Sequence, residues 1–333
     1  MKQGTFFCID AHTCGNPVRL VTSGHPELRG KTMSEKRLDF MSRFDWIRQA
    51  LMFEPRGHAM MSGAFLYPAC SENADFSILF IETSGCLPMC GHGTIGTVTA
   101  ALESGLVKPK LAGQLIIDVP AGQLSVTYQM HGDRVSSVKL VNVPAFLYAK
   151  DLVAFVPGLG DISFDVAYGG NFYAIVEPQK NFPGVDQWSA AQVLQYSPLL
   201  RDAGRALQPF VHPLDPSLQG LSHVLWTGQP KTAGSHAANA VFYGEKAIDR
   251  SPCGTGTSAR MAQRFARGLL GVGDSFVHES FIGSQFTGCI ESITEVAGIT
   301  AIVPSIEGWA HVFGANQICV DDRDPYAYGF EVI

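Results

Sequence analysis

Cys90-Gly-His-Gly-Thr-Ile-Gly-Thr-Val-Thr-Ala-Ala-Leu-Glu-Ser-Gly-Leu106 recurs in altered form as Cys253-Gly-Thr-Gly-Thr-Ser-Ala-Arg-Met-Ala-Gln-Arg-Phe-Ala-Arg-Gly-Leu269. The two stretches align without a gap. Cys, Gly, Gly, Thr and the closing Gly-Leu coincide at one offset, 90 to 253, which is about half of the 333 residues. Self-similarity at that distance reads as two related halves. Ile95, Val98, Leu102 and Leu106 recur at the steps of an apolar helical stripe, as do Met261, Phe265 and Leu269 in the second copy. Gly105 and Gly268 stand where a helix end favours positive φ. Each copy is therefore predicted to be a helix, with its cysteine at or just before the N-terminus.

A strand is expected ahead of each helix, over Phe76 to Ile81 in the first half and Asn239 to Tyr243 in the second. Further β-rich runs cover Leu115 to Val119, Leu124 to Tyr128, Val135 to Val143, Asn171 to Val176 and Ile299 to Val303, with frequent Gly and Pro between them. Ser34 to Leu51 and Ala190 to Leu200 are the other helical candidates, and Pro109 to Gly113 reads as a connection. The fold class is α+β, with two similar β-rich domains, each around a central helix. The domain change is placed between Pro120 and Gly132. That gives a first domain of residues 1–125, completed by 310–333, and a second of 126–309.

Apolar residues make up 46% and charged residues 16%, so the chain has material for buried cores and is not of disordered composition. The net charge of −6 argues against nucleic acid as a partner, since that footprint needs clustered Lys and Arg. The run Phe6-Phe7-Cys8-Ile9 is too short for a signal-peptide core, and no stretch reaches the ~18–20 apolar residues of a membrane helix. These features predict a soluble, cytoplasmic protein without a membrane partner. Eight cysteines occur, at 8, 14, 70, 86, 90, 253, 289 and 319, with no C-x-x-C. Nothing at zinc spacing suggests a structural metal site, and most thiols are expected to be small buried hydrophobes.

For a lone cysteine, burial is the commoner explanation. Duplication at matching places favours chemistry. Free N–H groups and the dipole of a helix N-terminus favour thiolate over thiol, so both cysteines are expected to have a lowered pKa and to serve as bases near neutral pH. The same N–H groups bind anions. Two such termini facing each other could grip one carboxylate, with the sulfurs on opposite faces of the adjacent carbon. Inverting that carbon needs one group to remove a proton and another to deliver one, and a thiolate and a thiol exchange those roles. Charge developing on the carboxylate would be stabilised by the helix N–H groups. Neither metal nor other cofactor is required.

Met89-Cys90-Gly91-His92-Gly93-Thr94 and Asp249-Arg250-Ser251-Pro252-Cys253-Gly254-Thr255-Gly256-Thr257 resemble the two catalytic motifs of the proline racemase family. Supporting stretches are Asp10 to Pro17, Phe53 to His58, Tyr168 to Tyr173 and His278 to Gly283, so the resemblance spans essentially the whole chain. It implies the diaminopimelate epimerase-like fold, with an active site in the cleft between the halves. Cys90 and Cys253 would be the acid/base thiols, Cys90 accepting and Cys253 donating in one direction. Gly91, His92, Gly254 and Thr255 would hold the substrate carboxylate, and Asp249 would meet the ring ammonium. On its own, Asp249 reads as a turn carboxylate, and His92 as a capping or packing residue.

His12, His58, His223 and His236 are further candidates to line the site, while Glu54 and Arg56 are read as a structural ion pair. Within the family the chain is most similar to bacterial members that epimerise 4-hydroxyproline. The implied reaction is inversion at C2 of trans-4-hydroxy-L-proline, in a possible homodimer. Proline itself is the nearest competing substrate. Relatives that dehydrate trans-3-hydroxyproline replace one cysteine with Ser or Thr, and this chain keeps both. A different class of reading, an imino-acid-binding protein or a redox dithiol, predicts binding or disulfide formation without α-proton exchange.

Overall fold

The computed structural model describes residues 3–332. The chain divides into two compact units, Met1–Leu140 with Gly308–Ile333, and Val141–Glu307. The first edge lies at 140, not 125. A cut at 125 would split the strand Gly122–His131, which pairs antiparallel with Gln114–Val119. The return lies at 307, not 309, ahead of the strand Ala310–Val320, which pairs along the whole of Gly4–Thr13. Among the described residues, no helix is long and apolar enough to cross a membrane.

In the first unit, Gly4–Thr13 also pairs antiparallel with Asn16–Ser23. The sheet continues parallel to Ser62–Tyr67, antiparallel to Phe76–Glu82, and parallel to Gln114–Val119. In the second unit, Gly160–Tyr168 pairs antiparallel with Phe172–Val176. The sheet continues parallel to Leu221–Gly228, antiparallel to Ala237–Tyr243, and parallel to Ser275–Glu279. The order of parallel and antiparallel steps is the same in both units, which is the duplication expressed as topology. The second unit continues through Gln285–Val296 and Ile299–Gly308 back to Ala145–Val156, which pairs with Gly160–Tyr168, closing a circuit of strands.

Each cysteine-led helix occupies a β–α–β crossover. Gly91–Glu103 connects Phe76–Glu82 to its parallel partner, and Gly254–Ala266 connects Ala237–Tyr243 to its own. Parallel pairing requires such a crossover, and strands covered on both faces read as continuous apolar runs. In the second unit, Phe172, Ala174 and Val176 join the cluster around Trp188 and Trp226, while Tyr173 and Ile175 turn the other way, toward Cys253 and Ala259. In the first, Leu79 and Ile81 pack with Phe40, Ile47 and Leu51 of the outer helices, and Phe80 faces Gly93 of the central helix. Full burial of each such side chain is worth about 1.5–3 kcal/mol.

The outer segment expected as one helix over 34–51 is two, Met33–Arg43 and Asp45–Met52, broken at Phe44 (φ −130°, ψ 9°). The first begins with a capping box between Thr32 and Glu35. The helix expected over 190–200 runs on from Ala190 to Leu207.

Candidate active site

Both cysteines are helix N-caps. The Gly93 N–H donates to Cys90 Sγ at 3.4 Å, and the Gly256 N–H donates to Cys253 Sγ at 3.4 Å. The Thr94 and Thr257 N–H groups then donate to the cysteine carbonyls at 2.9 and 2.8 Å, starting each helical ladder. The glycine three residues on is needed for this approach. A methyl group at Gly93 would stand 3.0 Å from Cys90 Sγ, and one at Gly256 would stand 3.1 Å from Cys253 Sγ. N–H groups of a first turn lie outside the helix ladder and point to what lies ahead of it. The N–H groups at 91 and 92 in one helix, and at 254 and 255 in the other, thus belong to first turns, where a helix start favours anions. The two caps differ in backbone. Cys90 is extended (φ −144°), whereas Cys253 has φ +65° and ψ 108°. A non-glycine residue held there costs of order 1–3 kcal/mol, and Ser251 helps to hold it by accepting the Cys253 N–H at 3.2 Å.

Around Cys90 the neighbours are ionisable. Its thiol lies 3.5 Å from Glu82 Oε1 and 3.5 Å from His92 Nδ1, and all three side chains are buried. Glu82 ends the apolar strand before the helix and also accepts from Ser62 and Ser84 hydroxyls at 3.2 and 3.0 Å. His92 Nε2 lies 3.0 Å from the amide of buried Asn16, and the Thr13 hydroxyl donates to the His92 carbonyl at 2.8 Å. Sequence reading placed His92 beside Cys90 but missed Glu82 and Asn16. A carboxylate closing the apolar run Phe76 to Ile81 was the available signal.

Around Cys253 the neighbours are hydroxyls. Tyr173 Oη lies 3.4 Å from Cys253 Sγ and 2.5 Å from Thr255 Oγ1. Burial pushes the Cys253 thiol well above its ordinary range, and the Asp249 carboxylate adds to the effect. Hydrogen bonds from Tyr173, the Gly256 N–H and Thr255 oppose it. The expectation of a lowered pKa at this cysteine is thus overturned. Desolvation of the thiolate outweighs the few donors of a helix start. The buried setting therefore favours the thiol form of Cys253 over the thiolate. Buried Asp249 accepts from the Ser251 N–H and hydroxyl, both at 2.8 Å, and so shapes the loop that carries Cys253.

The candidate histidines separate. His223 is buried, with its ring 4.6 Å from that of Tyr173 and Nδ1 2.7 Å from the Ser222 hydroxyl. Burial pulls its imidazole down to about 3, with Arg201 and Arg205 acting in the same direction. It is therefore a neutral wall behind Tyr173. His278, not among the candidates, is also buried and lies 2.9 Å from both Asn239 and the Thr257 hydroxyl, bracing the first turns of the Cys253 helix. His12 belongs to an aromatic row with Trp309, His311 and Phe313. His58 is exposed. His236 is exposed as well and accepts the Val277 N–H at 2.8 Å. The expected Glu54–Arg56 pair is replaced. Arg56 pairs with Asp324 at 3.3 Å and donates to the Tyr326 and Ala327 carbonyls at 2.6 and 2.5 Å, tying down the C-terminal segment, while Glu54 is exposed.

Comparison with known proteins matches residues 8–331 to the proline racemase family. The chain belongs to the proline racemase family. It is 66% identical over 333 residues to the 4-hydroxyproline 2-epimerase of Shewanella loihica, covering all of both chains. A hydroxyproline epimerase from Agrobacterium vitis, solved with bound trans-4-hydroxy-L-proline, is similar with a TM-score of 0.91 and 30% identity, over 98% of this chain and 96% of that one. A PhzF-family phenazine biosynthesis protein from Bacillus anthracis shares the fold, with a TM-score of 0.57 and 16% identity over 96% and 99% of the two chains.

Within this proline racemase family member, Tyr173 has a consequence that can be measured. Its hydroxyl remains a donor, because burial raises its own pKa well above the ordinary phenol value. Tyr173→Phe keeps the ring and removes the donor that favours the Cys253 thiolate. A hydrogen bond to a charged group is worth about 1.5–3 kcal/mol, so alkylation of Cys253 by iodoacetamide is expected to begin roughly one to two pH units higher. Peptide mapping of labelled Cys253 against pH reads the shift. An unchanged onset would show that Tyr173 only fills space.

Proposed function

We propose that this protein is an isomerase that inverts C2 of trans-4-hydroxy-L-proline to give cis-4-hydroxy-D-proline, with Cys90 and Cys253 as its two acid/base groups. The carrying observation is the duplicated cysteine N-cap, in a chain that aligns end to end with relatives named for this epimerisation. In one direction the Cys90 thiolate takes the C2 proton and the Cys253 thiol delivers its own to the opposite face. The enzyme is left with Cys90 protonated and Cys253 ionised, which is the form that accepts the other epimer. N–H groups at 91, 92, 254 and 255 hold the carboxylate and stabilise the charge that moves onto it as C2 is deprotonated. No cofactor enters these steps.

The raised pKa of Cys253 fits the donor role directly. Running in reverse requires its thiolate, and Asp249 supplies the reason that substrate makes this accessible. A ring ammonium seated against Asp249 neutralises the charge that disfavours the thiolate, so binding itself lowers the cost of ionising Cys253. Incubation in D₂O with trans-4-hydroxy-L-proline and L-proline side by side, read by NMR and chiral chromatography, tests the assignment. The expected result is one deuterium at C2 with inversion, faster for hydroxyproline. Faster turnover of proline would move the assignment to proline racemisation, and binding without exchange would reject the isomerase.

A further inference from the structure

Glu82, Cys90 and His92 present a carboxylate oxygen, a thiol sulfur and an imidazole nitrogen that all lie within 4.8 Å of one another, and all three residues are buried. We infer that this triad is an inhibitory site for a divalent zinc-like ion, which competes with the proton for Cys90. Three observations carry the inference. The first is spacing. Zinc bonds of about 2.3 Å to sulfur and about 2.0–2.1 Å to nitrogen or oxygen, at the tetrahedral angle, put ligand atoms about 3.5 Å apart. Cys90 Sγ is 3.5 Å from Glu82 Oε1 and 3.5 Å from His92 Nδ1. The carboxylate and imidazole already flank the sulfur, so the ion can be bound by small side-chain rotations.

The second is charge. A thiolate, a carboxylate and a neutral imidazole carry two negative charges, which a dication cancels, and only such a neutral assembly is tolerable at full burial. The third is the surrounding support. A metal on Nδ1 leaves the proton on Nε2, which then needs an acceptor. The Asn16 amide lies 3.0 Å from that nitrogen and presents its oxygen once turned over. The Ser62 and Ser84 hydroxyls likewise hold the Glu82 carboxylate in place. The corresponding neighbours of Cys253 are Tyr173 and Thr255, whose neutral hydroxyls make a poor set for such an ion, so the site belongs to one thiol of the two.

The Cys90 thiol loses its proton to solvent, and the sulfur lone pair goes to the metal. With three protein ligands the fourth position takes water or a substrate carboxylate. Cys90 can then neither accept nor return the C2 proton. This loss of activity rests on the proposed role of Cys90, whereas metal binding does not.

Cobalt(II) titration of the reduced full chain, followed by optical absorption, separates the two. The expected result is one equivalent bound with a sulfur-to-cobalt charge-transfer band and the strong visible bands of tetrahedral cobalt. These bands persist in Cys253→Ser and vanish in Cys90→Ser. Asn16→Ala is expected to weaken cobalt binding about 10–100-fold, as removal of outer-shell partners does, and Glu82→Gln also weakens it. Zinc should abolish deuterium exchange in the unmodified protein and EDTA should restore it. Absence of the charge-transfer band, or its survival in Cys90→Ser, overturns the site even if that variant is inactive. If the bands behave as expected but Cys90→Ser still inverts C2, the metal site stands and the catalytic role of Cys90 fails.

Discussion

Cys90→Ser and Cys253→Ser are each expected to lower C2 deuterium exchange with inversion by about 10²–10⁴-fold, the usual contribution of a placed general acid or base. Serine keeps the volume of the site but replaces a thiol by a far weaker acid, so the loss is chemical. Both sulfurs accept an N–H from the first helical turn, at 3.4 Å, and a serine oxygen can take over that role. The helices should therefore form and hydroxyproline should still bind, as calorimetry can check. The double variant is expected to lose little beyond either single one, because the two groups act on one proton transfer. A single variant that retained near-full exchange with inversion would refute the two-thiol reading.

Asp249→Asn carries the second large effect, and it has two parts with separate signs. Asparagine retains an oxygen to accept from the Ser251 N–H and hydroxyl, so the loop that supports Cys253 should survive. What disappears is the charge. Without it, a buried substrate ammonium lacks its partner, and kcat/KM is expected to fall by the equivalent of about 2–5 kcal/mol. The same carboxylate pushes the Cys253 thiol upward. Its removal should therefore lower that pKa and bring iodoacetamide labelling of Cys253 to lower pH, opposite in direction to Tyr173→Phe. Steady-state kinetics and the labelling profile read the two parts independently. Unchanged kcat/KM with an unshifted labelling onset would confine Asp249 to shaping the loop.

The thiol environments explain why the halves, alike in topology, need not be alike in chemistry. Cys90 has a carboxylate and an imidazole within 3.5 Å, groups able to take its proton or compete for it. Cys253 has a phenol and a threonine hydroxyl, which can support a thiolate but not accept its proton at neutral pH. A two-base isomerase must begin each turnover with one thiol ionised and the other protonated. The two thiol environments are unequal in the way that start requires, and under the proposed mechanism Asp249 would be the group through which substrate evens the balance.

Much of this organisation was legible in the residues. The gapless match from Cys90 to Leu106 and from Cys253 to Leu269 announced a duplicated strand–helix unit, because helix starts, apolar stripes and terminal glycines are local signals. Gly105 and Gly268 indeed take φ of +65° and +71°. The outer helix over 34–51 was less legible, since its break at Phe44 has no Gly or Pro to mark it. The first domain edge was misplaced for a related reason. Gly122–His131 stays with the first unit through its ladder to Gln114–Val119, and pairing is not visible in the residues of one strand alone.

The duplicated cysteines that open each helix were thus determined by sequence alone, since capping position and helical period depend on residues a few places apart. What surrounds each thiol was decided only by the tertiary structure. Glu82 reaches Cys90 from the end of the preceding strand, and Tyr173 reaches Cys253 from 80 residues upstream. A helix N-terminus favours the thiolate through a few donors. Burial removes the whole solvation of that thiolate, and how deeply a sulfur is buried is set by strands far away in the chain.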